Sequence, residues 1–416
     1  MPEPLPAESR LLLSCARGEF DPEALASAEA LASVEALLLR GIDWTSLLAS
    51  ARRHSMLPLL YEWLQAMDAA RIPPDVLAGL KGAYYTNLLR NHRLGADLAE
   101  VVAALGQEGI DTIVLKGGAL ARTVYGNPAQ RPMVDLDLLV RQEQMAHAGD
   151  VLGTLGYHLS GSVPDSMVPF AQRFGGGLEW QRTRKGRVTR LDVQFDLVGV
   201  DWCWKAFPVE PRVIWEAARP LDLDGTPALQ LSPEDTLIHL CLHPALHHGY
   251  YCPIISYVDM DRLIAVSRPD FSWERLVERA LRFQAKTVVY YGLQCAHQLL
   301  GTPLPDEVQR ALVPGPVQLR VLRSLAPLTP EAVLDAESEG LRGVGQVLLY
   351  AALVDRIRYV GSMVRGILFP SREWLAVRYS LESEEQAQRY RLVHPLRVAR
   401  AFLRGLTRPL IESSLE

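Results

Sequence analysis

The sequence predicts an α+β fold, with a central mixed sheet between N-terminal helices and a helical C-terminal domain. Three observations predict it. Up to Gly109, apolar residues recur three and four apart, the spacing of one helix face. From residue 110 to about 230, the period shifts to short β-rich runs separated by glycine turns. At Ser232 a helix-start signal follows, and helical spacing returns. The expected units are residues 1–109, 110–230 and 231–416, since 416 residues exceed what one core usually serves.

In the first unit, ASAEALASVEALLLRG (26–41) and DWTSLLASARRHSMLPLLYEWLQAM (43–67) are rich in helix formers. Leu94, Leu98, Val101, Val102 and Leu105 continue the pattern. In the second unit, DTIVL (111–115) is a short strand ending at Lys116-Gly117-Gly118, and residues 118–125 open a helix. VDLDLLV (134–140) reads as a strand and 142–155 as a helix. GLEWQRT (177–183) and RVTRLDVQFDLV (187–198) flank Lys185-Gly186 as a hairpin, and RPLDLDGTPALQL (219–231) turns at Asp224-Gly225. The third unit opens on Ser232-Pro233-Glu234-Asp235: an N-cap, a proline at the first helical position, and acids in the first turn. Pro303, Pro305, Pro314 and Pro316 divide the rest into several helices.

Composition narrows the function classes. The chain is 49% hydrophobic and 22% charged, as in globular proteins. Its net charge of -5 argues against duplex nucleic acid as the main partner, because phosphate binding needs a basic excess. Cys15, Cys203, Cys241, Cys252 and Cys295 are scattered and form no CxxC, so a reduced cytoplasmic protein without a structural zinc site is expected. MPEPLPAESR has no basic region leading into an apolar run, so no secretory signal is expected there. Residues 344–369 are apolar but hold Asp355, Arg356, Arg358 and Arg365. They read as a packed amphipathic helix, not a membrane span.

The chemistry concentrates in LKGGALARTVYGNPAQRPMVDLDLLV (115–140). On a strand, residues i and i+2 share a face. Val134, Leu136 and Leu138 then point one way, and Asp135 and Asp137 the other. Two adjacent carboxylates repel, so a positive partner is required, and oxygen ligands suit a divalent metal. The later strand repeats the layout: Leu191, Val193, Phe195 and Leu197 on one face, Asp192, Gln194 and Asp196 on the other. If the two strands are neighbours, Asp192 completes a three-carboxylate cluster. Such a cluster fits two Mg²⁺ (or Mn²⁺) ions roughly 3.5–4 Å apart, as used for displacement at phosphorus. Gly117 and Gly118, between a strand and a helix, would let phosphate oxygens approach the backbone, with Lys116 adding positive charge.

This ordered set resembles the DNA polymerase β-type nucleotidyltransferase superfamily, built on a GG or GS turn, a DxD, and a third acidic residue on a later strand. More closely, it resembles the uncharacterised nucleotidyltransferase family, with its LKG…L…Y…R…D-x-D-x-LV signature. The likeness covers roughly residues 40–300, through LIHLCLHPALHHG and Val258-Asp259-Met260-Asp261, with an echo in FPSREW (369–374). It implies a polymerase β-type core. It also implies Gly117 and Gly118 at the phosphate turn, and Asp135, Asp137 and Asp192 as metal ligands, with Asp192 as base for an incoming hydroxyl. Lys116 and Arg131 would contact the triphosphate or leaving group; alternatively, Arg131 pairs an aspartate and positions it. Where that family often has His, this chain has Gln194, which can hydrogen-bond but not titrate. Some members sit in bacterial gene clusters for modified peptides.

The expected activity is transfer of a nucleoside monophosphate from a triphosphate onto a small-molecule, peptide or protein acceptor, releasing pyrophosphate. A kinase-like phosphotransferase and a non-catalytic nucleotide- or peptide-binding protein are the alternatives. His239, His243 and His247 fall at i, i+4 and i+8, with His248 beside them. They are candidates to line the pocket, although Pro244 should distort that helix. Asp196 reads as a solvated or supporting neighbour, and Asp259 and Asp261 as capping or pocket-lining residues. Trp202 and Trp204 read as packing residues or a base-stacking lid, and Phe369 and Trp374 as a docking staple.

Overall fold

The computed structural model describes residues 5–17, 34–39, 41–67, 71–160, 176–198, 206–327, 329–335, 344–379, 381 and 384–407. Helices α1 (Ala7–Ala16), α2 (Trp44–Arg53), α3 (Leu57–Gln65) and α4 (Pro74–Gln107) lead in. The core follows as β1 (Ile113–Leu115), α5 (Lys116–Thr123), β2 (Leu136–Leu139), α6 (Met145–Thr154), β3 (His158–Leu159), β4 (Gly177–Arg184), β5 (Arg187–Gln194), α7 (Pro211–Ala217), β6 (Arg219–Leu223) and β7 (Thr226–Gln230). Then come α8 (Pro233–His248), α9 (Ile255–Val266), α10 (Trp273–Arg282) and α11 (Lys286–Leu300), followed by further helices as far as Glu384–Thr407. The α+β expectation holds: among the described residues, seven strands form one mixed sheet in the order β3-β4-β5-β2-β1-β7-β6.

Both hairpins turn where glycine allows a positive φ. Asp224 and Gly225 sit at +56° and +95°, and Lys185 and Gly186 at +52° and +72°. Two successive positive φ values make a turn that matches strand twist. The Ser232 side chain accepts the Asp235 N–H and caps α8.

Strand alternation divides the core into two. Val114, Leu136, Leu138, Leu191 and Val193 pack against α4 and α6. Ile113, Leu115 and Leu139 face the other way, into a larger core. That larger core joins α1–α3 to α8, α9 and α11, so the N-terminal helices share it with the helices after the sheet.

Two local expectations are corrected, for Val134 and for residues 344–369. Residues 43–67 form two helices, with the chain breaking at His54–Met56, where Ser55 sits at φ +59° and Pro58 lies in the first turn of α3. Val134 is 69% exposed and lies before β2, so it does not join Leu136 and Leu138 in the core. α8 runs through Pro244, because most of α8 is buried and packing outweighs one lost hydrogen bond. Residues 344–369 form two helices, Val344–Leu353 and Ile357–Leu368, not one. Between them Asp355 turns inward and accepts the Lys286 and Thr287 N–H groups at 2.9 and 3.0 Å, capping α11. No described helix is long and apolar enough to cross a membrane.

Phe369 remains half exposed, while Trp374 meets the His394 ring edge-on at 5.3 Å. Half of the expected docking staple is therefore present. Trp202 and Trp204 lie outside the described residues, as does most of the expected helix 26–41.

Candidate active site

The register of the sheet builds the site. β2 pairs with β5 in parallel, with Asp137 directly opposite Asp192. On its other side β2 pairs with β1, with Asp137 opposite Leu115. Lys116, the next residue, therefore emerges beside Asp137, and its Nζ lies 2.7 Å from Asp137 Oδ1. Lys116 sits at φ +43°, a conformation that a side-chain-bearing residue rarely adopts. Such strain persists only where the surroundings enforce it, and it clusters at functional sites.

Lys116, Asp135, Asp137, Asp192, Gln194, His239, His243 and His247 line one cavity of about 250 Å³. Asp135 lies on its open rim, just before β2, while Asp137 is only 5% exposed. Gln194 bridges the carboxylates: its Nε2 donates to Asp192 Oδ2 at 2.6 Å and to Asp137 Oδ1 at 3.4 Å. Position 194 thus holds a donor that cannot titrate, fixed between two aspartates.

The electrostatics follow from this crowding. Burial and then the charge of Asp137 raise the Asp192 carboxyl to about 6. Asp135 is raised for the same two reasons, in the same order. Lys116 opposes both shifts but does not cancel them. The site therefore carries surplus negative charge that one ammonium only partly balances.

The glycines have a packing reason. A Cβ on Gly118 would meet Val114 Cγ1 at 2.8 Å, and one on Gly117 would meet Met133 Cγ at 2.9 Å. Both are buried, so they let α5 sit close against the sheet and the 131–133 segment. Their N–H groups, in the first turn of α5, lack partners four residues earlier in a helix.

Arg131 pairs with an aspartate, the alternative expected for it. Its Nε and Nη2 donate to Asp259 Oδ1 and Oδ2 at 2.9 and 2.8 Å, and Asp259 also accepts from Tyr125 Oη at 2.5 Å. Burial works against the charged guanidinium, but Asp259 outweighs it and raises its pKa. Asp259 is buried in mid-helix, so the capping or pocket-lining reading is replaced by a buried ion pair. Around it, the segment 125–133 is pinned by side chains. Asn87 donates to the Ala129 carbonyl at 2.7 Å, Asn91 to the Arg131 carbonyl at 2.7 Å, and Gln130 to Glu62 at 2.7 Å. Asp196 accepts the Val198 N–H at 2.6 Å and stabilises a local turn.

The histidines form a ladder on α8. Ring centroids are 6.5 Å apart from His239 to His243 and 5.0 Å from His243 to His247. Burial, then Lys116, lowers His239 to about 3 and His247 to about 4, and His243 is lowered too. All three are neutral imidazoles near neutral pH. His239 is 2% exposed, and neither ring nitrogen has a hydrogen-bond partner among the described residues. The nearby Leu197 carbonyl slightly favours its charged form, but does not meet hydrogen-bond geometry.

A pH prediction arises here. A histidine whose pKa is depressed on folding contributes stability that is full above its unfolded value of 6.5 and lost as pH falls. His239 should therefore cost up to ~1.4 kcal/mol of stability per pH unit below that value. Urea denaturation between pH 7 and 5 should show this slope, and it should be shallower in His239→Leu. An unchanged slope would refute the assignment.

Gly176 and Gly177 also line the cavity and were not foreseen. A Cβ on Gly177 would meet the Val193 carbonyl oxygen at 2.8 Å. The available signal was the Gly175-Gly176-Gly177 run before β4.

Among the described residues, no three His, Cys, Asp or Glu side chains converge into a ready metal cage. Lys116 and Gln194 already occupy oxygens of Asp137 and Asp192. The donor set nevertheless suits a hard cation: it is all carboxylate oxygen, with surplus negative charge.

No curated protein matches the chain. A solved structure described as an antigenic nucleotidyltransferase-like protein from Paracoccidioides brasiliensis is 15% identical, covering 53% of this chain and 91% of that one, with a TM-score of 0.34. The model of the uncharacterised nucleotidyltransferase family matches residues 40–301, more than half of the chain, and takes in the whole carboxylate cavity; the protein belongs to that family.

Proposed function

We propose that this protein transfers a nucleoside monophosphate from a nucleoside triphosphate onto a hydroxyl of a small-molecule, peptide or protein acceptor and releases pyrophosphate. The observation that supports this most is the register of Asp137 against Asp192 on adjacent parallel strands, with Asp135 two residues away and Lys116 in contact.

Asp135, Asp137 and Asp192 would hold Mg²⁺ or Mn²⁺. When bound, two such ions neutralise charge on the phosphate oxygens and the leaving group. Lys116 is placed to exchange Asp137 for a phosphate oxygen, and the open N–H groups of the Lys116–Gly118 turn favour the same anion. Gln194 would hold Asp192 in orientation. Asp192, with its carboxyl raised to about 6, would accept the acceptor's proton. Arg131 is assigned to positioning: through Asp259 it anchors the segment that delivers Asp135. Residues 110–230 would serve as the catalytic unit, and the helices after residue 231, with His243 and His247, as the acceptor side. The four cysteines among the described residues are free and buried, which fits work in a reducing cytoplasm.

The internal balance of Lys116 against Asp137 also suits a non-catalytic binding protein, since the site is partly neutralised without a metal. Incubation with Mg²⁺, mixed nucleoside triphosphates and hydroxyl-bearing acceptors separates the readings. Pyrophosphate release with a product heavier by one nucleoside monophosphate is expected. A product heavier by phosphate alone would replace transfer of a nucleotide with kinase chemistry. Nucleotide binding without any release would leave the binding reading.

A further inference from the structure

Lys116 and His239 also line a second cavity, of about 120 Å³, so these two residues are shared between it and the carboxylate cavity. Leu120, Val124 and Leu263 supply apolar wall, and Thr123, Thr236 and Gln230 supply polar wall. No carboxylate among the described residues lines it. Both cations that reach it are already paired, Lys116 with Asp137 and Arg219 with Asp270. An engineered apolar cavity of ~150 Å³ admits benzene, so this one is the size of a single ring or a short branched chain.

His239 supplies the second, independent observation. A buried polar group without a partner is destabilising, and both ring nitrogens of His239 lack one among the described residues. A neutral imidazole offers one donor and one acceptor. The two ring nitrogens point apart, so one group meets only one of them; a hydroxyl suits whichever it meets, donating to the bare nitrogen or accepting from the N–H, whereas a carboxylate needs the N–H and an ammonium the bare nitrogen.

We propose that the second cavity seats the ring-sized apolar body of a small alcohol or phenol, with its hydroxyl at His239, and that this molecule is the acceptor. Only the word acceptor rests on the nucleotidyl-transfer reading. In that step the hydroxyl oxygen bonds to the α-phosphorus and its proton passes to Asp192. The bond from the α-phosphorus to the bridging oxygen breaks, and pyrophosphate leaves with that electron pair.

Calorimetric titration of the full chain with benzyl alcohol, and with toluene as the hydroxyl-free control, tests the site. Saturable benzyl alcohol binding is expected. Thr236→Phe and Thr123→Leu, which fill the cavity from two different helices, should each weaken it at least tenfold. His239→Leu should weaken benzyl alcohol about tenfold and leave toluene binding in place. Asp192→Asn should retain benzyl alcohol binding, because that carboxylate lies outside the second cavity. Absence of saturable binding, or unchanged affinity in both filling variants, would overturn the site. Equal loss of both ligands in His239→Leu would overturn the hydroxyl's place. Binding that persists while no triphosphate releases pyrophosphate with benzyl alcohol present would overturn the acceptor role and keep the cavity.

Discussion

Asp137→Asn is expected to lower pyrophosphate release ~10³-fold or more, because it removes the charge at the centre of the cluster. The substitution keeps the shape, and the amide oxygen can still accept from Lys116. The fold should therefore survive, with little change in thermal midpoint. Asp137 is also the charge that most raises the Asp192 carboxyl. Neutralising it should bring Asp192 back toward the ordinary carboxylate range, a shift readable by NMR titration without any turnover. Full retained activity in Asp137→Asn would defeat the catalytic assignment. An unmoved Asp192 would defeat the electrostatic one.

Asp259→Ala should give the largest loss of stability, ~3–5 kcal/mol, because it leaves the Arg131 guanidinium buried without its carboxylate. Tyr125 loses its acceptor in the same step. Replacing both partners by apolar residues of similar size, Arg131→Met with Asp259→Leu, should cost less than the single change, since no charge is left stranded. Urea denaturation of the three proteins decides this. A loss under ~1 kcal/mol in Asp259→Ala would mean that the pair is solvated and cannot anchor the 125–133 segment.

Much of the site was legible because its causes are local. Alternation along β5 placed Asp192 and Gln194 together, and Lys116-Gly117-Gly118 marked a strand-to-helix turn. Ser232 and Asp224-Gly225 announced their cap and hairpin through side-chain chemistry and backbone freedom. What escaped depends on distant partners. The Asp137–Asp192 pairing was expected only if its two strands were neighbours, and that neighbourhood is set by the fold of the segment between them. Arg131 had two readings, phosphate contact or pairing with an aspartate, and the aspartate that it meets, Asp259, lies 128 residues away. Asp355 read as one charge within a single amphipathic helix, while in the fold it caps α11.

The most direct measurement is a crystal structure with Mn²⁺ and a triphosphate analogue that cannot be cleaved between its α- and β-phosphates. The account predicts anomalous density for Mn²⁺ against Asp135, Asp137 and Asp192, with Lys116 released from Asp137 onto a phosphate oxygen. Phosphates should lie at the Lys116–Gly118 turn. Manganese and nucleotide bound elsewhere, with the Lys116–Asp137 pair intact, would contradict it.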